Sequence, residues 1–224
     1  MKGIFERKPA LPRHADTWDV SLIFNYIRAQ GTVEEASLMG LTLRTTVLLA
    51  LLTGQRRQTI YSLDIREEFM LRNGSEYKFI LPHVQKHTRP GHHQKPLLLR
   101  AYQEDPLICI VKHLDQYIQR TSELRGSCTK LLTVTKPPYG PASLDTISRW
   151  LRTILTASGV PVKFSGHSTR SASTSAAASS GLIPTDIILR NAGWTSERTF
   201  AVFYQRDIVP DTTNSFSDAV YSQT

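Results

Sequence analysis

Six side chains spread along the sequence are of kinds that handle charge and protons around an anion. Arg56 ends the run Thr53-Gly54-Gln55-Arg56, and Lys86 stands just before Thr88-Arg89-Pro90-Gly91. His167 and Arg170 form an H-x-x-R pair, Trp194 follows Gly193, and Tyr204 closes the run from Thr199. A planar guanidinium donates to two phosphate oxygens at once, so two arginines suit an anion on which charge builds during a reaction. An imidazole exchanges protons near neutral pH, an indole N–H donates, and a phenol is a nucleophile once deprotonated. Each short motif is common by chance; the six together, in this order, carry the information. Arg57 competes with Arg56, and Lys78 and Lys95 compete with Lys86. Gly166-His167-Ser168 begins like a serine-nucleophile elbow, but Arg170 stands where its second glycine belongs.

Most of the elements that must position these residues read as helices. Residues 1–16, with Pro9, Pro12, Arg7, Lys8 and Arg13 and no apolar period, read as an extended lead. Order is expected from Thr17, where Val20, Ile23, Phe24 and Ile27 share a helical face, with Asp16 or Thr17 as cap and Gly31 as stop. Helices follow over Leu41 to Thr53 and Gln58 to Leu63, with Arg56 between them. Alternating Tyr77, Phe79 and Leu81, the turn at Thr88 to Gly91 and the apolar run Leu97 to Leu99 predict a hairpin or three-stranded sheet. Pro106 precedes an amphipathic helix over Leu107 to Glu123, and Ser143 caps another that runs to Ser158 and stops at Gly159. His167 heads a Ser- and Ala-rich helix to Ser180, Pro184 opens one to Asn191, and Ser196 caps a last one through Phe200 and Phe203. No internal repeat is present. The expected fold is mainly α with a small antiparallel β-sheet: one domain over 17–207 between the lead and a C-terminal tail, 208–224.

Composition narrows the function classes. The 224 residues carry 27 Lys+Arg against 19 Asp+Glu, a net charge of +8 and a pI near 9.7, a balance that suits a polyanionic partner. With 40% hydrophobic residues and a mean hydropathy of −0.24, the chain is neither disordered nor collagen-like. The apolar run Val47 to Leu52 falls far short of the roughly 20 residues a membrane span needs. The N-terminus has no sustained apolar stretch, so a nuclear or cytoplasmic location is expected rather than secretion. Cys109 and Cys128 form no CxxC, no phosphate-binding glycine motif occurs, and no carboxylate cluster suggests a metal; no cofactor, metal or nucleotide is expected.

Taken in order, the six residues resemble the tyrosine recombinase (phage integrase) family over roughly 17–206. In that family an arginine follows a T-G-x turn, a lysine lies on a β-hairpin, H-x-x-R opens a helix, a His or Trp follows a glycine, and the nucleophilic tyrosine comes last. The local texture Gly166-His-Ser-Thr-Arg170, Ala192-Gly-Trp-Thr195 and Thr199-Phe-Ala-Val-Phe-Tyr204 is most similar to recombinases of DIRS-type, Crypton-type and related eukaryotic mobile elements. Two departures stand out. Thr59 replaces the acid often found three places after the first arginine, and Tyr204 lies ten residues after Trp194, one more than the commonest spacing.

The resemblance implies that a phosphodiester of double-stranded DNA is transferred onto Tyr204 and back, without metal or ATP. Arg56 and Arg170 would hold the phosphate, Lys86 would protonate the departing 5′ oxygen, His167 would accept the phenolic proton or hold a phosphate oxygen, and Trp194 would donate its indole N–H. It also implies a homotetramer on two duplexes, with the segment after Tyr204, bearing Ile208, Val209, Phe216, Ala219, Val220 and Tyr221, passed to a neighbour. The 16 residues before Thr17 are too few for the helical clamping domain usual in the family. DNA relaxation of the type IB topoisomerase kind and a catalytically silent, host-adopted DNA-binding module remain open.

Overall fold

In chain order the computed structural model contains β1 (Asp16–Trp18), α1 (Ser21–Ala29), α2 (Leu38–Thr53), α3 (Arg57–Ser62), β2 (Met70–Asn73), β3 (Glu76–Phe79), β4 (Leu97–Arg100) and a 3-10 turn (Pro106–Ile108). It continues with α4 (Ile110–Thr121), α5 (Leu144–Ala157), α6 (Ser168–Ser179), α7 (Thr185–Ala192) and β5 (Asp207–Val209). Residues 16–81, 95–193 and 207–209 are described. Lys86, Trp194, Tyr204, the turn at Thr88 to Gly91, the helix expected from Ser196 and the stretch from Pro210 lie outside the described residues.

α2 is the axis of the fold. It is apolar nearly all round, as a helix enclosed by others must be, and Leu41, Val47, Leu48, Leu49 and Ala50 are wholly buried. Three of its four threonines are satisfied by donating back one turn: Thr42 to Leu38 O, Thr46 to Thr42 O and Thr53 to Leu49 O, at 2.6–2.7 Å. α4, α5 and α6 pack around it. α5 turns Ile147, Trp150, Leu151, Ile154 and Leu155 inward, and Ser143 Oγ accepts from Thr146 N at 3.1 Å, the cap the sequence predicts. α6 packs through small residues, with Ala172, Thr174 and Ser175 buried.

The expected sheet forms in the order β2-β3-β4, antiparallel throughout. Tyr77 faces Leu99 and Phe79 faces Leu97 in register, and these four make its buried face. The fold is thus mainly helical with a small antiparallel sheet, as its periodicities predict.

Two local readings change. Asp16 to Trp18 form a strand rather than a helix start, because they pair in parallel with Asp207–Val209; Asp19 Oδ1 instead receives Ser21 N at 2.8 Å at the head of α1. The helix expected over Leu107 to Glu123 is divided: Pro106–Ile108 is a 3-10 turn, Cys109 is extended, and α4 spans Ile110–Thr121. The parallel β1–β5 pair itself has no signature in so short a run of residues.

Candidate active site

The site is built on the turn between α2 and α3. Gly54 ends α2 in the left-handed region (φ +60), a conformation that glycine adopts without a Cβ penalty. Arg56 follows in extended conformation as the N-cap of α3, its carbonyl accepting from Thr59 N and Ile60 N at 2.9 and 3.2 Å. Its side chain is half-buried. Thr59, in the position where the resemblance expects an acid, is buried.

Arg170, one turn into α6, is 4% exposed and donates from Nη1 to Gly54 O at 3.0 Å. The H-x-x-R arginine is therefore seated against the turn that ends in Arg56, although 116 positions of sequence separate the bonded residues. His167 precedes α6 as its N-cap; it is exposed and makes no capping hydrogen bond to that helix. A third strand of chain reaches the same turn, for the buried Gln55 donates through Nε2 to Asn191 O near the end of α7, two residues before Gly193. Sequence patterning gives Gln55 no role; its position inside the T-G-x-R run was the only available signal.

The neighbouring cation is differently employed. Arg57 donates from Nη1 to Ser148 Oγ on α5, tying α3 to that helix. Among the described residues the ion pairs use Arg28, Arg66, Arg72, Arg100, Lys163 and Arg190, and neither Arg56 nor Arg57. α5 adds exposed Arg149 and Arg152.

A cleft of about 470 Å³ opens beside the turn, lined by Thr53, Gln55, Lys95, Arg100, Arg190 and Gly193 among others. Lys95 directly follows the stretch that carries Lys86, and Gly193 directly precedes the stretch that carries Trp194 and Tyr204. Of the two lysines that compete with Lys86, Lys95 lines this cleft, and Lys78 lies on the face of β3 opposite buried Tyr77 and Phe79. The described residues thus bond Arg170 to Gly54, two residues before Arg56, with His167 three residues before Arg170 at the head of the same helix.

No family model and no curated protein matches this sequence. Solved structures do resemble it. A XerH site-specific recombinase bound to a palindromic difH substrate in a post-cleavage complex superposes with a TM-score of 0.62 at 11% identity, covering 84% of this chain and 49% of that one. XerA recombinase gives 0.60 at 16% identity, covering 96% and 66%. A lambda integrase dimer bound to a COC′ core site gives 0.56 at 16% identity, covering 96% and 55%. This chain therefore spans about half the length of the XerH and lambda integrase chains. The helices around α2 and the three-stranded sheet are those of a tyrosine recombinase catalytic-domain fold.

Proposed function

We propose that this chain breaks and rejoins double-stranded DNA through a 3′-phosphotyrosyl intermediate on Tyr204. The observation that carries the reading is the bond from Arg170 to Gly54 O, which joins the two arginine motifs at one turn. The fold supports it, as do the activities of the neighbours: XerH is a site-specific recombinase caught after cleavage, and a lambda integrase tetramer is bound to a Holliday junction.

In this reading the Tyr204 oxygen attacks phosphorus, a tyrosyl P–O bond forms, and the bond to the 5′ oxygen breaks. His167 takes the phenolic proton, and Lys86 gives one to the departing 5′ oxygen. Arg56 and Arg170 donate to the phosphate oxygens as their charge grows, and Trp194 adds its indole N–H. Attack by a 5′-hydroxyl reverses each step, so the energy of the broken bond is kept for rejoining. The protein would act as a homotetramer on two duplexes, its exposed Arg149 and Arg152 adding to the attraction for the phosphate backbone.

The test is covalent trapping. Nicked duplexes of randomised sequence, in which cleavage releases a fragment too short to rejoin, are incubated with the chain, and adducts surviving denaturation are mapped by mass spectrometry. An adduct on Tyr204 that disappears in Tyr204→Phe while DNA binding persists is the expected result. No adduct at all, or one that persists in Tyr204→Phe or maps to Ser168, overturns the assignment.

A further inference from the structure

Trp18 is 1% exposed, and its indole N–H donates to Ser168 Oγ at 2.8 Å across 150 positions of sequence. The Ser168 hydroxyl passes the bond on, donating to Ser165 O at 2.6 Å, and Ser168 N closes the same turn on Ser165 O at 2.8 Å. Gly166 and His167 stand between those serines, so Trp18 is tied into the turn that presents the exposed His167. That turn is confined from other sides too. Thr169 Oγ donates to Gly166 O at 2.8 Å, and a Cβ on Gly166 would lie 3.1 Å from Leu151 Cβ on α5.

β1 has further holds on the region. Lys163 Nζ donates to Asp16 Oδ2 at 2.7 Å, just ahead of the same turn. Thr17 and Trp18 pair in parallel with Ile208 and Val209, and the paired strand begins at Asp207, three residues beyond Tyr204. One three-residue strand therefore contacts the chain on both sides of the proposed chemistry.

We infer that β1 is a positioning element of the proposed reaction: through Trp18 and Ser168 it sets the head of α6, with His167 and Arg170, relative to the chain that leaves Tyr204. The inference rests on the reading of Tyr204 as nucleophile. Trp18 and Ser168 touch no reacting atom in it. They act by orientation, which matters because a displacement of about 1 Å at a reacting group can cost about a hundredfold in rate. A tryptophan that served the core alone would be replaceable by phenylalanine without kinetic effect, since the ring would still be buried.

Trp18→Phe removes the donor and keeps the aromatic bulk, Ser168→Ala removes the acceptor, and Ser168→Thr restores a hydroxyl. Two quantities are read: the rate of covalent adduct formation on the nicked random-sequence duplexes at saturating DNA, with Kd measured in parallel, and amide hydrogen exchange over 165–170. Trp18→Phe and Ser168→Ala are expected to slow adduct formation about tenfold to a hundredfold with Kd changed less than about twofold. The double variant should be no slower than the slower single one, because both remove one bond. Ser168→Thr should restore the rate, and exchange over 165–170 should accelerate in both single variants while α1 stays protected. Wild-type rates in Trp18→Phe and Ser168→Ala overturn the inference. If the unmutated chain forms no adduct, the proposed reaction has failed, and exchange decides alone: unchanged protection over 165–170 in both variants overturns the positioning role, and accelerated exchange there supports it.

Discussion

Arg44 and Arg170 are equally buried, at 5% and 4% exposed, yet they sit in unlike surroundings. Arg44 reaches from α2 to the end of α1 and donates to Gly31 O, Thr32 O and Gln30 O at 2.9, 3.2 and 2.8 Å. Carbonyls at a helix C-terminus lack helical partners and carry the negative end of the dipole, so a cation there satisfies both. Burial pushes the Arg44 guanidinium pKa down, Tyr26 opposing it. Arg125 follows the same pattern on Lys130 O and Leu131 O. Arg170 instead lies against the turn that ends in another arginine, one helical turn from an exposed histidine, and the cleft beside that turn is lined by Lys95, Arg100 and Arg190. Of those cleft cations, Arg100 pairs with Glu76 and Arg190 with Asp186, so their charge is offset within the chain. Burial of an arginine thus says little about function, since Arg44 and Arg170 both donate to chain carbonyls; what else the bonded segment carries says more.

The comparison makes its largest claim about activity. Arg56→Ala and Arg170→Ala should each slow adduct formation by about 10²–10³, the usual effect of removing one preorganised donor. Arg44→Ala should leave the rate per folded molecule unchanged and lower unfolding free energy by about 2–4 kcal/mol, read by urea titration, because it strips several carbonyls of a charged donor. An equal loss of specific activity in Arg44→Ala would erase the distinction.

The next effect belongs to the scaffold side. His113 is wholly buried on α4, and its Nδ1–H donates to Cys109 O at 2.9 Å. Burial lowers its pKa from 6.5 to about 4, the Cys109 carbonyl and Glu34 opposing this and Arg44 adding to it. Between those two values the unfolded chain binds a proton that the folded chain does not. Stability should therefore fall as pH drops through that window, by on the order of 3 kcal/mol in full, and be unaffected by this group above it. His113→Gln should flatten the slope of unfolding free energy against pH. A slope unchanged in the variant would assign the acid sensitivity elsewhere.

The smallest effect separates two adjacent arginines. Arg57 is held by Ser148 on α5, so Arg57→Ala should slow adduct formation less than about tenfold, through loosening of α3 rather than loss of a phosphate donor. A loss as large as that of Arg56→Ala would shift the first cation by one position.

Much of this was legible before any coordinates. The 3.6-residue periodicities of α4 and α5, the Ser143 cap and the alternation of Tyr77 and Phe79 are local, and the same local rules form them in the fold. The candidate residues Arg56, His167 and Arg170 were likewise readable as types in order, though not the bond that seats Arg170 on the Gly54 turn. The T-G-Q-R register favours Arg56 over Arg57 by itself, but the bond from Arg57 to Ser148 in another helix was not legible. Nor was the status of Asp16 to Trp18: residues read as the end of the lead and the cap of the first helix form a strand because they pair with Asp207–Val209.

By itself the sequence determined the helices, the small sheet, the basic balance and the chemical types available, because each depends on residue identity and spacing of a few positions. Tertiary structure alone decided which cations meet a chain carbonyl and which line a cleft. It also decided that Trp18 and Ser168, 150 positions apart, share a hydrogen bond. Such contacts join distant parts of the chain, and no local spacing encodes them; they exist only once packing around α2 has brought α6 to the Gly54 turn.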